Sequence, residues 1–431
     1  MIVSFKVGNF MSYSSESTVS FLATPLKASK DATFRPPSLQ WDYSLLRTIG
    51  ILGFNAAGKT NLLKALAAMK YTVLYSGSSS ANLFLQTITP FLLKREKELS
   101  TSFEIVFFLS NRKYRYGYKI LNGIVKEESL DYAEPKIREN NLFRRVDKTV
   151  SYNKSWNKES ENALDALFKR VQDHTLFLSV LGVLNVQPAV EILKWFQKIV
   201  VIESFDAERF IDFTIEKLKD PIFKHAFTRL LKESQVGFDA VFEEQVFNSE
   251  KFENRQGGFV DFMLQNEILP PNHYNISTIH PVFDKNGQPA GTMKFDLRKQ
   301  ESAGTRKFFG LIGLFLDAIE DSKILIFDEL ETQFHFALYE TLVRFFNDPK
   351  VNPIGAQLLY TSHNTTLLKG NKLRRDQFYN IEKDELGQSV LKRFHEKGST
   401  MRSDASLEKE YQDRSLKNKP NDFNLFSGLS E

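Results

Sequence analysis

The stretch ILGFNAAGKTNLLKALAAM, residues 51–69, sets two glycines, a lysine and a threonine at fixed spacing between an apolar run and a run of helical periodicity. Gly53 to Thr60 match G-x-x-x-x-G-K-[ST], between a predicted strand and a predicted helix, the context in which that pattern cradles phosphate. Upstream, "LLRTIGIL" is a buried-strand pattern; downstream, Leu62, Leu63, Leu66 and Met69 or Lys70 are spaced for one helical face. Glycines let the backbone curl until its amides face phosphate oxygens, Lys59 would reach the β and γ phosphates, and the Thr60 hydroxyl would bind Mg²⁺ at the positive end of a helix. The expected nucleotide-binding set is Gly53, Asn55, Ala57, Gly58, Lys59, Thr60 and Asn61. The plain alternative is a glycine turn that only opens a helix.

The surroundings fit a globular α/β protein. A chain of 431 residues with 42% hydrophobic content supports two or three structural lobes. Its 57 basic and 53 acidic side chains leave a formal charge of only +4, so any contact with DNA would have to be local. The absence of cysteine excludes disulfides, thiolate zinc sites, a cysteine nucleophile and a zinc-hook dimerisation element. The start, "MIVSFKVGNFMSYSS", alternates as a strand does and not as a signal peptide, and no run is apolar enough for a membrane helix. A soluble, cytoplasmic protein is expected.

Residues 1–134 read as strands around one helix, with a hairpin at Ser110, Asn111 and Arg112. Residues 135–270 change character: "ALDALFKRVQ", "AVEILKWFQKIV", "AERFIDFTIEKLKD" and "FKHAFTRLLKESQ" are short helical patterns broken by Gly182, Pro188 and Pro221. They predict a compact helical insertion, too interrupted for long coiled-coil arms. Over residues 271–400 strands return, with Asn286 and Gly287 as a hairpin turn, and helix and strand then alternate as in βαβ units. Residues 401–431 form a polar tail without clear periodicity.

Three further motifs carry chemistry. In "KILIFDELE", four apolar residues deliver Asp328 and Glu329 to the carboxyl end of a strand, where open α/β sheets put their ligands. Asp328 would hold Mg²⁺ and Glu329 would deprotonate the attacking water; a solvated acidic loop is the alternative. In "LLYTSHNTT", another buried strand ends at His363, whose imidazole would face the γ phosphate or the water, unless it is structural. In "RKQESAGTRKFFGLIGLF", Ser302 would cap a helix, and its hydroxyl with the amides near Gly304 makes an anion site; capping alone would also explain it.

These pieces in this order resemble the ATP-binding cassette superfamily, in its branch of structural-maintenance, Rad50, RecF and OLD-type ATPases. The fold class implied is α/β, an ABC-type nucleotide-binding domain with a mixed β-sheet, split by a helical insertion. The resemblance implies ATP and Mg²⁺ as ligands, sandwiched between subunits of a homodimer or higher oligomer. Catalysis would then fall to Glu329, His363 and Lys59, and metal binding to Thr60 and Asp328. Ser302, Ala303, Gly304 and Thr305 would be the signature acting in trans, and Leu330 to Gln333 the D-loop. "VSFKVGNFMSY" is similar to the first hairpin of these ATPases, and Gln86 in "FLQTITPF" is the Q-loop candidate beside the reading of an ordinary surface glutamine. A closer resemblance is to the AAA15 subgroup, the RloA or AbiLi-like ATPases of bacterial phage-defence loci. It rests on "ESAGT", "FDELETQFH", "TSHNTTLL", "LRRDQFYNIEKDELGQS" and "EKEYQDR", with "SVLGVLN" and "WFQK" in the middle. The signature departs from Leu-Ser-Gly-Gly-Gln, and Phe336 stands where proline commonly follows the histidine.

OLD-type relatives often carry a nuclease with an acidic metal cluster. The nearby acidic run, Glu382, Asp384 and Glu385, reads more simply as a charged hairpin turn. The basic cluster Lys369, Lys372, Arg374 and Arg375 offers phosphate contact with DNA or an acidic partner, against the alternative of a solvated loop. The resemblance implies a nucleotide-driven switch that controls a separately encoded nuclease or toxin. The competing function is a RecF- or Rad50-like DNA-binding ATPase of repair, and a transporter ATPase fits poorly with so long an insertion between Thr60 and Ser302.

Overall fold

Alternation along "RKYRYGYKIL" sends Tyr114, Tyr116, Tyr118 and Ile120 into a core and leaves Lys113, Arg115 and Lys119 on the other face, the signature of a strand solvated on one side. A computed structural model of the protein describes residues 1–26, 31–36, 41–77, 85, 88–94, 99–153, 171–203, 207–234, 240–245, 274–333, 336–371, 373–395 and 411. It is α/β with mixed sheets and divides into two compact units.

The first unit comprises Met1–Val201, Ile324–Glu329 and Gln357–Glu431. Seven strands, β1 (Ile2–Gly8), β2 (Ser17–Ser20), β6 (Thr101–Leu109), β7 (Arg112–Leu121), β8 (Ile124–Ala133), β9 (Asn140–Val146) and β10 (Thr149–Tyr152), form an antiparallel sheet in the order β10-β9-β8-β7-β6-β1-β2. A two-stranded ribbon joins β3 (Thr33–Phe34) to β4 (Leu45–Leu46). The second large sheet runs β11-β15-β16-β5-β17-β18, from β5 (Thr48–Gly53), β11 (Ile199–Ile202), β15 (Ile324–Phe327), β16 (Gln357–Ser362), β17 (Phe378–Lys383) and β18 (Ser389–Arg393). Its β15, β16, β5 and β17 are parallel neighbours, and every residue of β15, β16 and β5 is buried, as expected of strands covered on both faces. Helix α1 (Lys59–Tyr75) leaves β5 and buries Leu62, Leu63, Leu66 and Met69, while α2 (Phe177–Val183) and α3 (Ala189–Gln197) follow the antiparallel sheet.

The second unit comprises Ile202–Lys323 and Leu330–Ala356. It holds α4 (Ala207–Lys217), α5 (Pro221–Ser234), α6 (Ala303–Glu320), α7 (Phe336–Asn347) and a sheet of β12 (Ala240–Gln245), β13 (Tyr274–Phe283) and β14 (Pro289–Asp296). Helix α6 is buried almost continuously from Phe308 to Ile319. None of the described helices is long and apolar enough to cross a membrane.

Two features differ from the expected helical stretch at 135–270. Its beginning, residues 140–152, is a pair of strands that extends the antiparallel sheet, and the first crossing between units comes at Val201. The pattern "AVEILKWFQKIV" stops being helical at Gln197, because the β-branched run Ile199–Ile202 prefers a strand and pairs at the sheet edge. The segment "ALDALFKR" and, apart from Tyr411, the tail at 401–431 lie outside the described residues.

Candidate functional site

The loop between β5 and α1 is shaped by close approach on both sides. A Cβ on Gly53 would stand 2.6 Å from Ile381 O of the neighbouring strand. Gly58, at φ 112°, caps α1 in a region that side chains disfavour, and a Cβ there would strike Ser389 Oγ at 2.1 Å. Around it Tyr13 donates from its hydroxyl to Gly58 O at 2.9 Å. Burial drives the Tyr13 phenol far above its ordinary range, so it remains a neutral donor. Ser389 Oγ lies 2.5 Å from Ala57 O and 2.8 Å from Ser12 Oγ, which in turn accepts from Asn61 Nδ2 at 2.8 Å. Asn55 and Ala56 stay exposed at the tip, with Ala56 at φ 61°.

Lys59 is only 5% exposed. It donates to Gly53 O at 2.9 Å and Phe54 O at 3.1 Å, folding back onto the carbonyls of its own loop. The Thr60 hydroxyl donates to Asp328 Oδ2 at 2.7 Å. The other oxygen, Asp328 Oδ1, accepts from Thr361 Oγ1 at 2.5 Å, and Thr361 Oγ1 accepts from Glu329 N at 2.7 Å. Thr361 is thus a buried clamp that holds both acidic residues from the adjacent strand. Glu329 sits at φ 50°, unusual for a residue with a side chain, and directs its half-exposed carboxylate toward His363. His363 spans the gap: Nδ1 lies 3.4 Å from Lys59 Nζ and Nε2 lies 3.5 Å from Glu329 Oε1. With Nδ1 facing the ammonium as acceptor, the ring proton belongs on Nε2, toward the carboxylate.

The structure therefore brings Lys59, Thr60, Asp328, Glu329 and His363 together at the carboxyl ends of three parallel strands. Ser302, Gly304 and Thr305 belong to the second unit, where Ser302 Oγ caps α6 by accepting from Thr305 N at 3.1 Å and lies 2.9 Å from Thr305 Oγ1. Ser302 and Gly304 are exposed, and among the described residues a Cβ on Gly304 would meet only Ser302 Oγ, at 3.7 Å. Leu330–Gln333 form a short 3₁₀ turn directly after Glu329.

Arg374 and Arg375, the positions that suggest contact with DNA or a partner, are 5% and 8% exposed. Arg374 Nη2 pairs with the buried Asp376 at 2.7 Å and donates to Thr24 O at 2.9 Å. Pairing with the buried Asp376 offsets the cost of taking the Arg374 guanidinium out of water. Lys372 and the side chain of Lys369 lie outside the described residues, as does Gln86. The acidic run is a hairpin turn: Asp384 Oδ1 accepts from Leu386 N and Gln388 N at 3.0 Å, and Glu382 pairs with Lys392 at 2.9 Å. Among the described residues no group of three His, Asp or Glu stands close enough to hold a metal ion unaided.

Sequence reasoning missed Thr361, Ser12, Tyr13 and Ser389. Thr361 had a signal, since it lies on the strand that delivers His363. The others act across more than forty residues of chain, which no local pattern reveals.

Residues 49–369 match a family model described as "AAA domain, putative AbiEii toxin, Type IV TA system". No curated protein matches the sequence. Among solved structures, the chain is similar to an SMC head bound to the C-terminal winged-helix domain of ScpA, at 14% identity and TM-score 0.41, covering 95% of this chain and 99% of that one. It is also similar to the recombination mediator RecF with ATP, at 11% identity and TM-score 0.31, covering 90% and 97%.

Proposed function

Because the chain belongs to this AAA-domain family, whose membership supports ATPase activity, we propose that it is an ATP-binding and hydrolysing switch of a bacterial phage-defence system. In this reading it assembles around ATP as a dimer or larger oligomer, with ABC-type geometry, and controls a separately encoded effector. The observation that carries the proposal is the unbroken chain of contacts from Thr60 through Asp328 and Thr361 to Glu329, closed by His363 back to Lys59.

Lys59 now occupies its own loop carbonyls, and an incoming phosphate would exchange them for a charge-assisted contact. Thr60 Oγ1 and Asp328 Oδ2 are hard oxygen donors side by side and would hold Mg²⁺, which when bound would supply positive charge to the phosphates. Glu329, its half-exposed carboxylate facing His363, would take the proton of the attacking water, and His363 would hold that water or the γ phosphate through Nε2–H. Ser302 and the amides of the α6 first turn would meet the nucleotide of a second copy. Gly304 supports this: among the described residues a Cβ there would meet only Ser302 Oγ, at 3.7 Å, so the glycine leaves the exposed first turn open to a second copy.

The test is Glu329→Gln, purified with the product of the adjacent gene and weighed as a particle with and without ATP and Mg²⁺. A nucleotide-dependent complex that contains the neighbour is the expected result. An ATP-dependent dimer that ignores the neighbour would turn the assignment to a DNA-binding ATPase, and wild-type turnover by Glu329→Gln would remove Glu329 as the base.

A further inference from the structure

The turn that presents Ser302 is anchored more heavily than a helix cap requires. The cap is complete once Ser302 Oγ accepts from Thr305 N. Behind it, Glu301 turns its carboxylate inward, where it is 8% exposed. His280 Nε2 donates to Glu301 Oε1 at 2.5 Å, and the fully buried Thr278 hydroxyl donates to the same oxygen. Phe295 of β14 covers the imidazole at a centroid distance of 4.5 Å. The same turn is tied at two other points. Arg298 Nη2 donates to Asp212 Oδ1 of α4 at 2.5 Å, and Arg306 Nη1 donates to Arg298 O at 2.8 Å. Burying a carboxylate and an imidazole costs free energy that pairing only offsets, so such a set specifies position more than it adds stability.

We propose that Glu301, held by His280 and Thr278, is the positioning residue that aims Ser302 at the nucleotide of a second copy. The inference rests on the in-trans role of Ser302 proposed above. Glu301 is the last residue with an inward side chain before the exposed Ser302, Ala303 and Gly304, so its carboxylate fixes where the exposed turn begins. Its partners lie on β13, so the β13–β14 hairpin and the serine move together. A misplacement of about 1 Å in such a contact can cost on the order of a hundredfold.

The experiment uses the full chain in the Glu329→Gln background. Affinity for a fluorescent ATP analogue is measured at protein concentrations below assembly, and ATP-dependent assembly is followed by sedimentation. Glu301→Ala and His280→Ala should bind the analogue within about twofold of the parent yet need at least about tenfold more protein to assemble. Glu301→Gln, whose amide oxygen still accepts from Thr278, should recover most of the loss. Alanine variants that assemble like the parent while Ser302→Arg blocks assembly overturn this inference alone, whereas a Ser302→Arg protein that still closes removes the in-trans reading itself. Equal losses of affinity and assembly would mark a general structural effect and also overturn it. Should the alanine variants not fold, Thr278→Val decides: weaker assembly at unchanged affinity is expected, and parental assembly refutes the proposal.

Discussion

Lys59 and Thr361 divide the work of the site between a residue the sequence announces and one it hides. Lys59→Ala removes the buried ammonium that the loop carbonyls now hold, and ATP binding should be lost; unchanged affinity in equilibrium titration would sink the phosphate-loop assignment. Thr361→Val keeps the shape but strips a hydroxyl from Asp328 and from the amide of Glu329. Losing those two hydrogen bonds should cost about 1–3 kcal/mol of stability and slow hydrolysis by about tenfold or more, with ATP binding retained. Thr361→Ser should restore turnover, and a serine variant as slow as valine would argue for packing in place of hydrogen bonding. The motif residues were legible because phosphate chemistry restricts both residue type and spacing. Thr361 was not, because its role depends on the register between β15 and β16, which places Phe327 beside Tyr360.

At the scale of elements, legibility followed burial. The short apolar runs at β5, β15 and β16, each too short for a buried helix and bounded by turn residues, declared themselves as buried strands. Strands β9 and β10 did not, because their burial alternates only weakly and their sequences carry no turn signal beyond Asp147 at φ 48°. The contact of α4 with α6 was also invisible in one dimension. Thr214 donates to Gly310 O at 3.1 Å, and a Cβ on Gly313 would stand 2.0 Å from Thr214 Oγ1. Gly313→Val should therefore lower the stability of the second unit by roughly 1–3 kcal/mol through overpacking. Chemical denaturation followed by circular dichroism checks this, with nucleotide binding as the reading of the first unit: a variant with parental unfolding would show that α4 gives way at no cost.

For the molecule as a whole, ligand and fold should be linked. Saturating ATP with Mg²⁺, at about a hundred times its dissociation constant, should add about 2.7 kcal/mol to unfolding of the wild type. Lys59→Ala should gain nothing, and an equal gain in both would point to binding elsewhere. The path of the chain adds one consequence of its own. It passes from the first unit to the second at Val201, back at Ile324, out again after Glu329 and home at Gln357. The carboxylate strand is thus a six-residue visit, Ile324–Glu329, paid by one unit in the middle of the other. No single excision in the gene can deliver either unit whole, so recombination must inherit or discard them together, and a lineage cannot trade one for a foreign counterpart by a simple swap of reading-frame ends.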